Sequence, residues 1–204
     1  MITIVDYGVG NVRAFLNVFK QLNVEAGTAT TPESITAAER LILPGVGDFD
    51  EAMQRLNASG MRPALEAAAL HRRIPVLGVC VGLQMLARSS EEGSLPGLGW
   101  VAADVKAFRS TPEGREIPVP HMGWNDVRPA QANPLFDGLT EESRFYFLHS
   151  YYFECDRDHD VAATTGYGFD FCSAVTAGNI FGVQFHPEKS HSWGTRLLRN
   201  FGRV

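Results

Sequence analysis

The chain has 204 residues, of which 45% are hydrophobic, and this is enough to bury a sizeable core in a single domain over residues 1–204. Its formal net charge is −5 with Lys and Arg dispersed, which argues against nucleic acid or an anionic membrane as the main partner. The first residues lack the pattern of a signal peptide, and no stretch reaches the ~18 apolar residues of a membrane span. We therefore expect a cytoplasmic protein whose cysteines stay reduced.

The first half of the chain alternates strand and helix patterns. "ITIVDY" is an apolar run rich in β-branched residues, and from Asn11, the predicted N-cap, the apolar spacing becomes that of one helix face. Further strands are predicted at "VEAGTAT", "RLILPG" and "IPVLGV". Helices are predicted at "DFDEAMQRLN" (capped by Asp48), "RPALEAAALHRR" and "GLQMLARSS". This alternation predicts a parallel sheet covered on both faces.

The second half of the chain is mostly strand. The predicted strands are "GWVAADVKAF", "WNDVRP", "RFYFLHSYYFEC", "DVAATTGYG" and "FCSAVTAGNIFGVQFH", and the last helix is "SWGTRLLRNF". We therefore predict an α/β fold in which a mostly parallel central sheet, with helices on both faces, carries an antiparallel β extension. Sites in such sheets form where strands end and helices begin.

The stretch "GVCVG" places Cys80 between two glycines at a predicted strand-to-helix junction. This is the pattern of a nucleophile elbow, whose sharp turn requires small residues on either side of the reactive group. The helix N-terminus favours negative charge on the sulfur, and the Val81 amide is placed to bind an oxyanion. A buried packing cysteine is the alternative, and the motif alone does not decide between them.

Two other strand ends carry residues that suit such a nucleophile. In "FHPE", His186 and Glu188 are two residues apart in an apparently extended segment, so they are predicted to share a face as base and orienting acid. In "LPGVG", two glycines let backbone amides turn toward an oxyanion. The alternatives are a solvated pair of side chains and an ordinary tight loop.

Several other patterns bear on cofactor or metal binding. The stretch "DYGVGN" has only part of a dinucleotide fingerprint, because Arg13 occupies its third glycine position. The remaining histidines have no metal-binding spacing, and Cys155 and Cys172 lie in apparent strands as packing residues. We therefore expect neither a cofactor nor a metal.

Together, "GVCVGLQ", "LPGVG" and "FHPE" resemble the class I, triad-type glutamine amidotransferases. The resemblance implies that Cys80 attacks the carboxamide of glutamine, that His186 protonates the departing ammonia and that Glu188 orients His186. It also implies a backbone oxyanion hole and a glutamine site. The oxyanion donors are Val46 and Val81, and the residues that hold glutamine are Gly47, Gln84, Ser150 and Tyr151.

The stretches "VDYGVGN", "PHMGWN", "FLHSYY" and "HPEKS" are similar to family members that supply ammonia to a separate (βα)₈-barrel cyclase subunit in histidine biosynthesis. The resemblance implies a heterodimer with that cyclase. The candidate interface residues are Asn11, His121, Met122, Trp124 and Lys189. Trp124 is the expected anchor, with a core tryptophan as the alternative.

Three other functions stay open on the sequence. These are a triad amidotransferase of a different pathway, a non-catalytic binding module of the same fold, and a thiol-dependent hydrolase that acts alone. The first is disfavoured by "DYGVGN" and "PHMGWN", and the second by the intact Cys80, His186 and Glu188. The third predicts robust activity from the isolated chain.

Overall fold

The computed structural model describes residues 1–140 and 142–204. Its strands are β1 (Ile2–Val5), β2 (Ala26–Ala29), β3 (Arg40–Gly45), β4 (Val76–Cys80), β5 (Ala103–Ala107), β6 (His121–Asp126), β7 (Arg128–Pro129), β8 (Arg144–His149), β9 (Tyr151–Cys155), β10 (Val161–Tyr167), β11 (Phe169–Ala177) and β12 (Ile180–Val183). Its α-helices are α1 (Val12–Gln21), α2 (Pro32–Thr36), α3 (Phe49–Ala58), α4 (Arg62–Glu66), α5 (Val81–Gln84), α6 (Pro112–Arg115) and α7 (His191–Phe201).

The larger sheet has the strand order β2-β1-β3-β4-β12-β11-β10-β7, with β9 pairing both β11 and β5. Strands β2, β1, β3, β4 and β12 run parallel, and the pairs beyond β12 are antiparallel. Strands β6 and β8 form a separate antiparallel ribbon. The predicted mostly parallel α/β sheet with an antiparallel extension is confirmed.

The central parallel strands are mostly apolar, as expected for strands that are covered on both faces. Every residue of β1 and β4 is buried. Two predicted helix starts are confirmed: the Asn11 side chain accepts a hydrogen bond from the Ala14 amide, and that of Asp48 accepts one from the Glu51 amide. These caps begin α1 and α3 immediately after the loops that follow β1 and β3.

The helix after Cys80 is shorter than predicted. The expected helix "GLQMLARSS" ends at Gln84 instead of continuing to Ser90. The carbonyls of Met85 and Ala87 accept hydrogen bonds from the amides of Leu98 and Gly99, at 2.7 and 3.0 Å, so they are not available for a continuing helix. The chain leaves α5 after one turn because a distant loop takes its backbone partners.

Two predicted long strands are divided in the structure. "RFYFLHSYYFEC" breaks at Ser150 into β8 and β9, which belong to different sheets. The last predicted strand is a hairpin of β11 and β12, with Gly178 in the turn at φ +64°. The break at Ser150 matters for function, because it places a loop between the two sheets beside Cys80.

No helix in the described ranges combines the length and the apolar character needed to cross a membrane.

Candidate active site

Cys80 sits at a strained turn between β4 and α5. Its backbone has φ +56° and ψ −114°, a region that residues with a side chain seldom adopt. The flanking glycines are required by close packing: a Cβ on Gly82 would lie 1.9 Å from the Leu43 carbonyl oxygen, and one on Gly78 would lie 2.6 Å from the Gly82 oxygen. The turn therefore holds the thiol at the carboxyl end of the sheet by tight contacts on either side.

His186 and Glu188 meet as predicted, although by a different local geometry. His186 Nδ1 lies 2.9 Å from Glu188 Oε1, and both side chains are almost completely buried. The segment is not a strand end, because β12 stops at Val183 and Pro187–Lys189 is a turn of 3₁₀ helix. The tight 3₁₀ turn, rather than strand alternation, brings the carboxylate back to the imidazole.

The charge environment of His186 favours the imidazolium. Burial alone would lower its pKa, but hydrogen bonds with Cys80 and Glu188, together with their negative charges, raise the pKa to about 10. Glu188 Oε2 has no hydrogen-bond partner among the described residues, so His186 is the group that compensates this buried carboxylate. The three side chains are therefore electrostatically coupled.

A cleft of about 690 Å³ opens in front of this array of three side chains. Most of the predicted site residues line it. They are Asn11, Val46, Gly47, Cys80, Val81, Gln84, Ser150, Tyr151, His186 and Lys189. Glu188 lies behind His186, and His121, Met122 and Trp124 do not line the cleft. The fold thus brings together loops after β1, β3, β4, β8 and β12 at one end of the sheet.

Gln84 is buried on α5, one turn after Cys80. Its Nε2 donates to Gln184 Oε1 at 3.2 Å and to the Tyr151 carbonyl at 3.5 Å. Its Oε1 is a buried acceptor with no partner in the described part of the chain. Gln84 therefore ties the β8–β9 loop to the elbow, and one of its acceptors stays buried and unpaired within the described ranges.

The glycines of "DYGVGN" have a packing role. Gly10 has φ +98°, and a Cβ there would lie 2.7 Å from Pro44 Cβ. The Tyr7 hydroxyl donates to the Pro44 carbonyl at 2.7 Å. The stretch therefore supports the base of the β3–α3 loop and contributes Gly10 and Asn11 to the cleft wall.

Sequence reasoning missed Gln184, beside the nucleophile, and Glu92, in the lining of the cleft. Gln184 is fully buried, and its Nε2 lies 3.8 Å from Cys80 Sγ. Gln184 is two residues before His186, and residues two apart in an extended segment face the same side. The same alternation that paired His186 with Glu188 could therefore have indicated Gln184. Glu92 adds a carboxylate to the cleft lining and accepts the Phe49 amide at 3.0 Å, but no local pattern marks it.

The predicted interface residues on β6 do not share one face. Met122 and Trp124 are 65% and 44% exposed, whereas His121 is only 3% exposed. Because side chains alternate along the strand, the candidate interface residue His121 points inward and is not part of the exposed face of β6. Trp124 is not a core residue: its ring stacks on that of exposed His191, with centroids 5.1 Å apart.

Comparisons with known proteins identify the family of the chain. The family model described as glutamine amidotransferase class-I covers residues 3–203. A solved structure titled as a glutamine amidotransferase aligns over 100% of this chain and 99% of its own, with a TM-score of 0.72 at 21% identity. A glutamine amidotransferase structure from Thermotoga maritima gives a TM-score of 0.63 at 20% identity, covering 92% of this chain and 75% of its own. This chain belongs to the class-I glutamine amidotransferase family.

Curated relatives narrow the position within that family. A protein of Bdellovibrio bacteriovorus is 53% identical over the whole length of both chains, and one of Leptospira interrogans is 50% identical over the same span. A protein of Methanococcus maripaludis is 45% identical over 98% of each chain. The first two are named imidazole glycerol phosphate synthase subunit HisH, and the third HisH 2. Within its family, the chain groups with these HisH subunits.

Proposed function

We propose that this chain is the glutaminase subunit of an imidazole glycerol phosphate synthase, acting as one domain over residues 1–204. It hydrolyses glutamine to glutamate and ammonia and passes the ammonia to a cyclase subunit in histidine biosynthesis, in the cytoplasm. The observation that carries the proposal is the buried array of Cys80, His186 and Glu188, on a strained elbow and facing a cleft of about 690 Å³. The names of the full-length relatives supply the pathway.

The first half-reaction uses Cys80 and His186. The Cys80 thiolate attacks the carboxamide carbon of glutamine, and a C–S bond forms as the carbonyl oxygen becomes an oxyanion. His186 then gives its proton to the amide nitrogen, the C–N bond breaks and ammonia leaves. Because Glu188 occupies Nδ1, Nε2 is the nitrogen left to face the sulfur and the leaving group. The product is a γ-glutamyl thioester on Cys80.

The second half-reaction regenerates the array. Neutral His186 takes a proton from water, the resulting hydroxide attacks the thioester carbon, and the C–S bond breaks to release glutamate. Cys80 returns as the thiolate beside the imidazolium. The raised pKa of His186, about 10, keeps its proton available for the next first half-reaction at neutral pH.

Glutamine binding is assigned to the walls of the cleft. We place its side chain between Gly47 and Gln84 and its backbone end against the loop at Ser150 and Tyr151, all of which line the cleft. Glu92 supplies a carboxylate for the α-ammonium group. Burial raises the pKa of Glu92, and the positive charge of a bound ammonium would oppose that shift.

The β3–α3 loop is the switch in this proposal. The Val81 amide begins α5 beside Cys80, and Val46 lines the same cleft on a loop with Gly47 at φ +87°. Rotation of one peptide there would remove or supply an oxyanion donor, worth about 3–4 kcal/mol or 10²–10³-fold in rate. We infer that the Val46 amide points away at rest and turns in when the cyclase holds its substrate.

Partner docking is assigned to the mouth of the cleft. Met122, Trp124 and Leu148 are exposed apolar side chains on the β6–β8 ribbon, with Met122 paired opposite Leu148. Asn11 and Lys189 lie at the cleft edge and are exposed. An apolar centre with a polar rim suits a protein partner, and we infer that the partner is the (βα)₈-barrel cyclase.

A stepwise glutaminase assay tests the proposal. Glutamate release is measured for the chain alone, with the cyclase subunit, and with the cyclase plus its phosphoribulosyl-formimino aminoimidazole carboxamide ribonucleotide substrate. We expect almost no activity alone, strong activation in the full mixture, and none with Cys80→Ala. Robust activity from the isolated chain would indicate a hydrolase that acts alone, and activation only by a different synthase would indicate another amidotransferase.

A further inference from the structure

A chain of buried hydrogen bonds runs behind the β8–β9 loop, outside the catalytic array. His149 Nδ1 lies 2.7 Å from the Tyr151 carbonyl oxygen, and His121 Nδ1 lies 2.9 Å from His149 Nε2. Asn125 Nδ2 lies 3.2 Å from His121 Nε2 and also donates to the Gly166 carbonyl at 3.0 Å. Four polar groups thus connect strand β6 to the loop that we assign to glutamine.

The direction of every hydrogen bond in this chain follows from its two ends. A carbonyl oxygen only accepts, so His149 Nδ1 carries the hydrogen toward Tyr151. Its Nε2 is then the acceptor, so His121 Nδ1 donates to it, and His121 Nε2 accepts from the Asn125 amide. Both imidazoles are neutral in this arrangement. Burial lowers the pKa of His149 to about 3 and that of His121 to about 4, which agrees with neutral rings.

The two ends of the chain have different surroundings. At one end, the Tyr151 carbonyl also accepts a hydrogen bond from Gln84 Nε2 at 3.5 Å. Gln84 lies one helical turn after the nucleophile Cys80. At the other end, His121 is followed on β6 by Met122, which is exposed on the opposite face. A shift of β6 caused by a partner on its outer face would therefore move His121 on its inner face.

We propose that His149 is a positioning residue that fixes the Tyr151 carbonyl for glutamine binding, and that His121 transmits the position of β6 to it. The proposal rests on the proposed function of the cleft. It gives the β6–β8 ribbon two roles, an outer face for docking and an inner hydrogen-bonded face that aligns the substrate loop.

Packing alone does not account for histidines at these positions. The His121 ring is stacked between Phe147 and Tyr167, with centroid distances of 4.7 and 4.0 Å. A phenylalanine would fill the same space without burying two ring nitrogens that need partners. The ring nitrogens have a role only if their series of directed hydrogen bonds matters. That series ends with the donation from His149 to the Tyr151 carbonyl.

Steady-state glutaminase kinetics of the complex with the cyclase test this proposal. His149→Phe removes the donor to Tyr151 and keeps the ring shape, whereas His149→Asn keeps an N–H near the Nδ1 position. We expect His149→Phe to raise KM for glutamine at least tenfold with a smaller change in kcat, and His149→Asn to stay within about threefold of wild type. A purely structural residue would not show this split or this rescue.

His121→Phe tests the transmission step. It keeps the stack with Phe147 and Tyr167 but cuts the link from β6 to His149, so we expect the activation of glutamine hydrolysis by the cyclase to fall at least fivefold. Tyr167→Phe is the matched control, since it keeps the stack on His121 and removes only the hydroxyl bonded to the Pro118 carbonyl. Circular dichroism and thermal unfolding check that each variant is folded.

Each result bears on a definite claim. A folded His149→Phe variant with the wild-type KM for glutamine overturns the positioning role. Unchanged activation by the cyclase in His121→Phe overturns the transmission step. The His121→Phe result decides the transmission step even if His149→Phe does not fold. Equal impairment of His149→Phe and folded His149→Asn also overturns the role of the donor. If the wild-type complex shows no Cys80-dependent turnover, the proposed function fails, and this inference fails with it.

Discussion

The catalytic residues Cys80, His186 and Glu188 and the β6–β8 ribbon both include buried histidines near the same cleft. The first region stabilises a protonated histidine, whereas the second stabilises neutral ones. His186 is paired with the buried Glu188 carboxylate and Cys80, which raise its pKa to about 10. His149 faces a carbonyl and a second imidazole, and burial lowers its pKa to about 3. The two regions differ in the charge of the hydrogen-bond partner, not in burial.

This difference separates chemistry from positioning. A charged array can hold a nucleophile and a transferable proton, at the cost of desolvating ions that must stay paired. A neutral chain of hydrogen bonds exchanges no proton near neutral pH and fixes only geometry. We therefore assign bond making to Cys80 and His186 and alignment of the substrate loop to His149.

Removing the charge of Glu188 is expected to give the largest loss of activity among the variants that test this comparison. In Glu188→Gln, the buried anion that stabilises the imidazolium is absent, so the pKa of His186 falls and its ring is no longer held by a charge. We expect kcat for glutamine hydrolysis in the active complex to fall by roughly 10²–10⁴-fold. The measurement is steady-state kinetics together with NMR titration of the His186 ring.

Glu154→Gln is the matched control for that change, because Glu154 is an exposed carboxylate on β9. It is expected to retain wild-type kcat. If the pKa of His186 is unchanged in Glu188→Gln, the charge of the hydrogen-bond partner does not explain why His186 and His149 differ in pKa.

Lowering the pH tests the neutral ribbon. Because the pKa values of His121 and His149 lie below the unfolded value of about 6.5, the unfolded chain binds more protons, and stability falls as the pH drops from about 6.5 toward 4. Each of the two histidines is expected to contribute a loss on the order of 2–3 kcal/mol, so the pair contributes about 5 kcal/mol, measured by urea unfolding at pH 7 and pH 4.5.

The double variant His121→Phe/His149→Phe shows whether that pH dependence belongs to the ribbon. It lacks both buried imidazoles, so this part of the acid destabilisation should vanish even if the variant is less stable at pH 7. An equal loss of stability in wild type and double variant would assign the acid sensitivity to other groups.

The smallest expected effect concerns the outer face of the ribbon. Trp124→Ala removes an exposed ring that contacts His191 and faces the proposed partner. We expect the Kd for the cyclase to rise about 10–100-fold, while the free energy of unfolding changes by about 0.5 kcal/mol or less. Calorimetric titration of the two subunits measures the first, and urea unfolding of the chain measures the second.

Leu70→Ala is the control for exposed apolar surface elsewhere, since Leu70 is 49% exposed and lies on the turn after α4. It should leave the Kd unchanged. Unchanged affinity in Trp124→Ala would remove the docking role from the ribbon, and marked destabilisation would show that the stack of Trp124 on His191 contributes more to folding than its exposure suggests.

Local patterns were sufficient to predict the parallel sheet, the capped helices and the elbow. Gly78 and Gly82 mark a turn whose geometry excludes side chains, and Asp48 caps the helix that follows it in sequence. The sequence signal for each of these features is local, even where the structural contact is distant, as between Gly82 and the Leu43 carbonyl. The same is true of the His186–Glu188 pair, although the predicted strand geometry was wrong and a 3₁₀ turn joins them.

Residues brought together from distant segments were harder to predict. Glu92 reaches the cleft through a loop whose position depends on contacts with α3, such as its bond to the Phe49 amide. The inward position of His121 has a simpler cause, since grouping the candidate interface residues of "HMGWN" on one surface ignores that adjacent residues of a strand face opposite sides. Applying that alternation would have separated His121 from Met122.

Transfer of nitrogen from glutamine tests the central claim most directly. The complex is supplied with glutamine labelled with ¹⁵N at its amide, the nucleotide substrate of the cyclase and an excess of unlabelled ammonium, and the imidazole product is examined by mass spectrometry. We expect ¹⁵N in the imidazole ring, at a level that drops to background in Cys80→Ala. Product that carries only unlabelled nitrogen, while glutamine is being hydrolysed, would contradict the proposal that this chain delivers its ammonia to a cyclase partner.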